Sequence, residues 1–104
     1  MTMLFRHALG STLRAARVQQ QRSLRDVAAA AGMSVGYLSE IERGHKEASS
    51  ELLAAAASAL GQPIAGLIAR AAEMMAAADV AVAVLAIPAQ TSAHSAAQRP
   101  VSAA

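Results

Sequence analysis

Residues 23–44 read SLRDVAAAAGMSVGYLSEIERG and carry the pattern of two short helices joined by a tight turn. Ser23 is a suitable N-cap, and Asp26 three residues later makes a weak capping box with it. Gly32 permits the left-handed conformation that ends a helix, and Ser34 can cap the helix that follows. Apolar residues recur at helical spacing in both segments: Leu24, Val27, Ala28 and Ala31, then Leu38 and Ile41. The stretch therefore predicts a helical hairpin whose second helix ends at Gly44.

Two helices separated by a three-residue turn with a glycine form a helix-turn-helix, which places its second helix in the DNA major groove. The small side chain of Ala28 lets the second helix cross closely over the first. Other αα-hairpins share parts of this pattern, but here the caps, the turn glycine, the small crossing residue and the inward apolar residues coincide. We therefore interpret the hairpin as a DNA-binding element.

The flanking sequence predicts three more helices, so the expected fold is all-α. A first helix spans about residues 5–20, with Leu9, Leu13 and Ala16 on its inner face. Gly10 lies inside it at a cost of about 1 kcal/mol relative to alanine, which indicates close packing against another helix. A polar loop over 44–50 ends in a serine cap. A fourth helix follows over about 50–60, with inward residues Leu52, Leu53, Ala56 and Leu60.

A fifth helix is predicted to start near Pro63, a residue that suits a first helical turn. Its apolar stripe is Ile64, Leu67, Ile68, Ala71 and Met75. The segment AAADVAVAVLAI over 76–87 fits either a continuation of this helix or a short strand over 79–87. We favour the helix and expect residues 69–87 to form a helical extension and dimer interface. Residues 88–104 contain two prolines with many Ala, Ser and Gln and are expected to be disordered.

The composition indicates one small domain with a thin core. The chain has 104 residues, of which 55% are hydrophobic, but alanine alone supplies 29 and leaves 28 larger apolar side chains. A small domain buries a modest fraction of its surface, so dimerisation would add needed burial. There is no cysteine, and therefore neither a disulfide framework nor a thiolate metal site.

The charge is uneven along the chain. The net charge is +2, yet five arginines precede the first acid, Asp26: Arg6, Arg14, Arg17, Arg22 and Arg25. A basic N-terminal third fits a surface that faces phosphate. No secretory signal and no apolar run of spanning length is evident, so a cytoplasmic protein without a membrane partner is expected. The histidines lack ligand spacing and no nucleophile motif occurs, so we expect no enzyme, no metal and no cofactor.

Three segments together resemble the Cro/CI (Xre) family of helix-turn-helix regulators: LRAARVQQQRSLRDVAAAAGMS, YLSEIERG and ELLAAAASALG. The resemblance covers residues 9–68 and implies a five-helix, lambda-repressor-like DNA-binding domain. Within the family, residues 34–53 are similar to the Clp gene regulators, which are dimeric activators of Clp protease and stress genes. Ala48 distinguishes this group, because most relatives have a proline there. His45 departs from the Arg or Gln expected after Gly44.

The resemblance implies roles for particular residues of the hairpin and of the segments beside it. Its start would face the bases, with Val35 on a thymine methyl and Glu40 accepting a hydrogen bond from cytosine N4. The base-facing set is Ser34, Val35, Gly36, Ser39 and Glu40. Phosphate contacts, which position a protein without reading sequence, would come from Arg25, Tyr37, Arg43 and Lys46. A salt bridge between Arg17 and Glu42 would join the first helix to the end of the recognition helix.

We interpret the chain as a homodimeric, sequence-specific transcriptional regulator that binds double-stranded DNA at a palindrome and activates protease and stress genes. The resemblance implies two further partners, RNA polymerase and a Clp-type protease acting on the C-terminus. Ala103 and Ala104 would then form a degron. Two alternatives remain open from the sequence. One is an antitoxin or phage-type repressor, and the other is a helical protein-interaction adaptor whose recognition helix binds protein.

Overall fold

The computed structural model describes residues 3–86, which form five α-helices and no strand. The helices are α1 (Phe5–Gln19), α2 (Leu24–Ala31), α3 (Val35–Glu42), α4 (Ser50–Ala59) and α5 (Ile64–Ala86). The all-α prediction and the order of the five helices are thus confirmed. The predicted disordered tail over 88–104, with the proposed degron residues Ala103 and Ala104, lies outside the described residues.

The hairpin is built by the local signals that the sequence contains. The Ser23 hydroxyl accepts a hydrogen bond from the Asp26 amide at 3.0 Å, and the Ser34 hydroxyl accepts one from the Tyr37 amide at 3.0 Å. Gly32 ends α2 with a φ of 72° in the left-handed region. The Asp26 carboxylate lies 3.7 Å from the Arg22 Nε, so it pairs with an arginine. Both helix starts and the turn between them are therefore set within a few residues.

The core is shared by all five helices, with α1 at its centre. α1 packs against α3 and α5, while α2 packs against α3 and α4. Ala28 is completely buried where α2 meets the rest of the core, as expected for a small crossing residue. The largest fully buried side chains come from four different helices: Leu13, Leu38, Leu67 and Val27. The recognition helix is thus part of the core and not an appendage to it.

One predicted stripe is partly wrong. Leu67 and Ala71 of α5 are fully buried, but Ile64 and Ile68 are exposed. Successive residues of a helix are turned by about 100°, so directing Leu67 into the core carries Ile68 toward solvent. Pro63 also lies just before α5, where its carbonyl accepts the first helical hydrogen bonds from Gly66 and Leu67.

α5 is longer than the body of the molecule. Its 23 residues span about 34 Å, whereas the 15 residues of α1 span about 22 Å. The helix continues through Ala86, so the strand alternative is wrong over residues 79–86. Beyond Ala78, every side chain whose exposure is described is exposed, including Val80, Val84 and Leu85. We call residues 79–86 the α5 overhang.

Between residues 3 and 86 no single helix is both long and apolar enough to cross a membrane. α4 and α5 meet that criterion only when they are taken together, and they are bent by 104° at the break between them.

Candidate nucleic-acid interface

α3 presents one side to solvent and buries the other. Ser34, Val35 and Gly36 at its start are exposed, whereas Leu38 and Ile41 are buried. Nothing lies within 4 Å of the position that a Cβ on Gly36 would occupy, so the surface there is open. Ser39 and Glu40, the other two residues of the predicted base-facing set, are half-buried. The structure therefore keeps the start of the recognition helix accessible.

The C-terminal end of α3 lies directly against α1. A Cβ on Gly10 would overlap the Ile41 carbonyl oxygen and approach the Glu42 carbonyl oxygen to 2.7 Å. Both are backbone atoms, which cannot move away as a flexible side chain would. The close helix packing that the sequence indicated at Gly10 is present, and α3 is the partner. The absence of a side chain at this one position lets the two backbones touch.

Arg17 and Glu42 join the same two helices by a two-point ion pair. Arg17 Nε donates to Glu42 Oε2 at 2.8 Å, and Nη2 donates to Oε1 at 3.0 Å. The third nitrogen, Nη1, donates to the Arg22 carbonyl at 2.9 Å. Only 13% of the Arg17 side chain and 5% of the Glu42 side chain is accessible. The hydrogen bonds to Glu42 raise the pKa of Arg17, so the guanidinium stays charged.

A further link between α1 and the end of α3 was missed by the sequence analysis. Arg6 Nε donates to the Gly44 carbonyl oxygen at 3.0 Å, and His7 lies against the Gly44 Cα. Gly44 is buried there with a φ of 76°. Arg6 and Gly44 are 38 residues apart, so no local pattern signals their contact. The end of the recognition helix is thus held at Gly10, Arg17 and Arg6.

Two predicted phosphate-binding residues lie together beside the loop that follows α3. The Tyr37 hydroxyl donates to the Glu47 carbonyl oxygen at 3.3 Å. The Lys46 Nζ lies 5.9 Å from the centre of the Tyr37 ring, within the range of a cation–π contact. Tyr37 therefore orders the loop that carries Lys46, and its hydroxyl already has a protein acceptor.

Glu40 and Arg43, which the resemblance assigned to bases and to phosphate, form an ion pair with each other. The Glu40 carboxylate oxygen also lies 3.4 Å from His45 Nδ1. The hydrogen bond from Arg43 is the main cause that lowers the pKa of Glu40, with a smaller contribution from His45. Both predicted DNA contacts are thus engaged within the protein.

A groove between α1, α2 and α3 adds residues that were outside the predicted base-facing and phosphate-binding sets, namely Ser11, Arg14 and His45. Ser11, Arg14, Ser39, Arg43 and His45 are among its lining residues. Ser11 and Arg14 are three residues apart and share one face of α1, a spacing that could have identified them. Arg25, a predicted phosphate contact, is exposed on α2. The side chains on the groove suit an anionic surface more than an apolar ligand.

No group of three or more His, Asp or Glu side chains within residues 3–86 is arranged to hold a metal ion. The arrangement of exposed hydroxyls, guanidiniums and an ammonium around an open helix start can bind a charged polymer.

Comparison with known proteins agrees with this geometry. A family model described as helix-turn-helix matches residues 13–67. The transcriptional regulator ClgR of Mycobacterium tuberculosis is 51% identical over 76 residues, which cover 73% of this chain and 68% of that protein. The crystal structure of the Clp gene regulator ClgR from Corynebacterium glutamicum matches 82% of this chain and 93% of that chain, with a TM-score of 0.74 and 46% identity.

A more distant structure shares the fold. The restriction-modification controller protein C.AhdI from Aeromonas hydrophila is 26% identical and covers 60% of this chain and 94% of that chain, with a TM-score of 0.59. This neighbour and the ClgR structures confirm the lambda-repressor-like architecture that the resemblance implied. The matched relatives are regulators and not enzymes. The chain belongs to the helix-turn-helix family of the Xre (Cro/CI) type and is a DNA-binding transcriptional regulator similar to ClgR.

Proposed function

We propose that this regulator binds a palindromic operator as a homodimer and activates Clp protease and stress genes. The observation that carries the proposal is the placement of α3, whose start at Ser34 to Gly36 is open while its end is fastened to α1. A rigid helix with a free, small-residue start can enter a major groove without first rearranging. The identity to ClgR supports Clp genes as the target.

The base-facing set and the phosphate set have different expected effects. Val35 and Glu40 would discriminate between base pairs, whereas Arg25, Arg43 and Lys46 would hold the backbone. Replacing Glu40 with alanine is therefore expected to relax preference at one base pair. If selection from randomised duplexes returns the same site for the variant and the wild type, Glu40 does not read a base.

A second copy of this chain is the proposed partner of the α5 overhang. Each chain offers one recognition helix, and a palindrome needs two. Val80, Val84 and Leu85 expose apolar surface on a helix that has left its own core, as an association surface does. Pairing of two overhangs would bury these side chains and supply the burial that a core with many alanines lacks. Residues 69–87 are thus proposed as the dimer interface.

Two further partners, RNA polymerase and a Clp-type protease, belong to the proposed role as an activator of transcription. An activator of these genes would contact RNA polymerase at the promoter and act in the cytoplasm, where the chromosome lies. A Clp-type protease acting at Ala103 and Ala104 stays a prediction, since these residues lie outside the described range.

The test of dimeric binding is the spacing of half-sites in a selected operator. Two half-sites centred about one helical turn, roughly 34 Å, apart should be bound tightly. Inserting about half a turn, roughly five base pairs, rotates one half-site to the far side of the duplex and should abolish tight binding. A deletion of the same length misplaces one half-site in the same way and should have the same effect. Unchanged affinity on both spacers would exclude the dimer.

The test of the biological role is a map of bound chromosomal sites together with transcript levels. Binding upstream of Clp protease genes, with transcripts that fall when the regulator is removed, is the expected result. Sites beside a toxin gene or a prophage would support the antitoxin or repressor alternative. Absence of any salt-sensitive binding to duplex DNA would support the protein-interaction adaptor.

A further inference from the structure

On the surface of α3, Glu40, which is expected to contact a base, is paired with Arg43, which is expected to contact a phosphate. The Glu40 carboxylate forms an ion pair with Arg43, and His45 Nδ1 lies 3.4 Å from the same oxygen. The accessible fraction is 31% for the Glu40 side chain, 61% for Arg43 and 59% for His45. The cluster is thus exposed at the end of the recognition helix, where a phosphate backbone would approach.

Arg43 and Lys46 differ in what surrounds their charge. Arg43 has a carboxylate partner inside the free protein, so a phosphate must displace Glu40 to bind it. Lys46 lies over the Tyr37 ring and takes part in no ion pair among residues 3–86. The lowered pKa of Glu40 means that its carboxylate is fully charged at neutral pH and competes as an anion.

We propose that Glu40 competes with DNA phosphate for Arg43 and thereby weakens binding to duplexes without the operator more than binding to the operator itself. The inference rests on the proposed DNA-binding function. Binding to an arbitrary sequence depends on phosphate contacts alone, so a masked arginine and a nearby carboxylate both reduce it. At an operator, a base-edge donor such as cytosine N4 can donate a hydrogen bond to the carboxylate that Arg43 has released. Glu40 would then determine specificity by acting through Arg43.

The experiment compares wild type with Glu40→Gln, which keeps the shape and removes the charge. Two probes are used: a random-sequence duplex of about two helical turns and an operator selected from randomised duplexes. We expect affinity for the random duplex to rise about two- to fivefold, the range of an exposed ion pair. Its salt dependence should steepen by about 0.9 in the slope of log K against log salt, because one more phosphate is neutralised. Affinity for the operator should change less, so the specificity ratio falls.

Two controls isolate the pair. Glu51→Gln removes one negative charge from the exposed surface of α4, outside the predicted DNA-binding sets and the proposed dimer interface, and should leave binding to both probes unchanged. The same Glu40→Gln change is then made in an Arg43→Ala background, which completes a double-mutant cycle. If Glu40 acts through Arg43, the gain on random DNA should vanish there.

The possible outcomes distinguish a failure of the Glu40 proposal from a failure of the proposed DNA-binding function. If the wild type binds no duplex, the proposed function fails and the inference with it. If the wild type selects an operator but Glu40→Gln binds random DNA no better, only the inference is overturned. A gain that persists without Arg43 also overturns it, because the effect would then be general charge repulsion. Loss of preference at one base pair, with random binding unchanged, would make Glu40 a base reader only.

Discussion

The end of α3 and the end of α5 are both helix termini in an alanine-rich chain, but their surroundings are opposite. The end of α3 is joined to α1 by touching backbones at Gly10, a two-point ion pair at Arg17 and a hydrogen bond from Arg6. In the α5 overhang every side chain whose exposure is described is exposed, and Leu85 is 87% exposed. The end of α3 is packed within the monomer. The end of α5 leaves apolar surface that the rest of residues 3–86 does not cover.

This difference in packing suits two different tasks, DNA recognition at α3 and association at the end of α5. A recognition helix must keep its orientation before DNA arrives, so its supports lie within the same chain. The α5 overhang, as the proposed dimer interface, must stay open until a partner arrives, so its apolar residues cannot be used in the monomer core. Substitutions around the end of α3 and in the α5 overhang test this comparison, beginning with the change expected to have the largest effect.

Removing one partner of the Arg17–Glu42 pair should destabilise the α3 side most. Glu42→Ala leaves a mostly buried guanidinium without its carboxylate, and we expect a loss of about 3 kcal/mol in unfolding free energy, measured by urea denaturation. The double variant Arg17→Met with Glu42→Leu should recover most of that loss, because it removes both charges together. A cost below about 1 kcal/mol for Glu42→Ala would mean that the pair behaves as an exposed one.

Adding a methyl group at the helix contact should have the next largest effect. Gly10→Ala places a Cβ against the backbone oxygens of Ile41 and Glu42 and should lower the unfolding free energy by about 2 kcal/mol through overpacking. Gly36→Ala is the matched control, since its Cβ meets nothing within 4 Å. Replacing this helical glycine should raise stability by roughly 0.5–1 kcal/mol. Equal melting temperatures for the two variants would contradict the close contact.

A charge on the α5 overhang should affect association and not folding. Leu85→Glu is expected to weaken the dimer about tenfold, the equivalent of burying one large apolar side chain, as measured by sedimentation equilibrium. The monomer's unfolding free energy should change by no more than about 0.5 kcal/mol. Ala65→Glu adds the same charge to an exposed position in the first turn of α5, outside the proposed interface, and should leave the dimer intact. If both variants dimerise like the wild type, the interface lies elsewhere.

Losing a phosphate-binding charge beside α3 should have a modest and uniform effect. Lys46→Ala should weaken operator and random duplexes alike and flatten the slope of log K against log salt by about 0.9, because Lys46 has no carboxylate partner among the described residues to mask it. Fluorescence anisotropy over a salt series measures this slope. A variant that loses affinity for the operator alone would belong to the base-reading set instead.

The smallest effect concerns pH. Arg43 lowers the pKa of Glu40 below its ordinary value of 4.5, so the ionised carboxylate is favoured in the folded state. The contribution of this pair to stability is therefore present above about pH 4.5 and is lost as the pH falls through the lowered folded pKa. A carbon-detected NMR titration should show Glu40 titrating below 4.5 in the wild type. In Arg43→Ala the midpoint should move upward, and an unmoved midpoint would deny that Arg43 is the main cause.

Much of this molecule could be predicted from short stretches of sequence. The two serine caps, the left-handed Gly32 and the apolar periodicity act within one or two helical turns, so they are the same in any tertiary setting. They define the helix-turn-helix, and the resemblance added the Arg17–Glu42 partners. The spacing of Glu40 and Arg43 is also local, and helical residues three apart are neighbours, so their pairing could have been anticipated.

The rest depended on where the helices lie relative to one another. The sequence showed that Gly10 needed a close neighbour, but only packing decided that α3 would be that neighbour. Arg6 contacts Gly44 across 38 residues, and Ile68 is turned toward solvent because the neighbouring Leu67 is the residue that α5 directs into the core. Periodicity specifies which face of a helix is apolar, and local caps specify where the helix begins. Neither signal specifies which neighbouring helix will cover that face or how far the covered part extends. The tertiary packing decided both, and it thereby fastened the recognition helix and left the α5 overhang exposed.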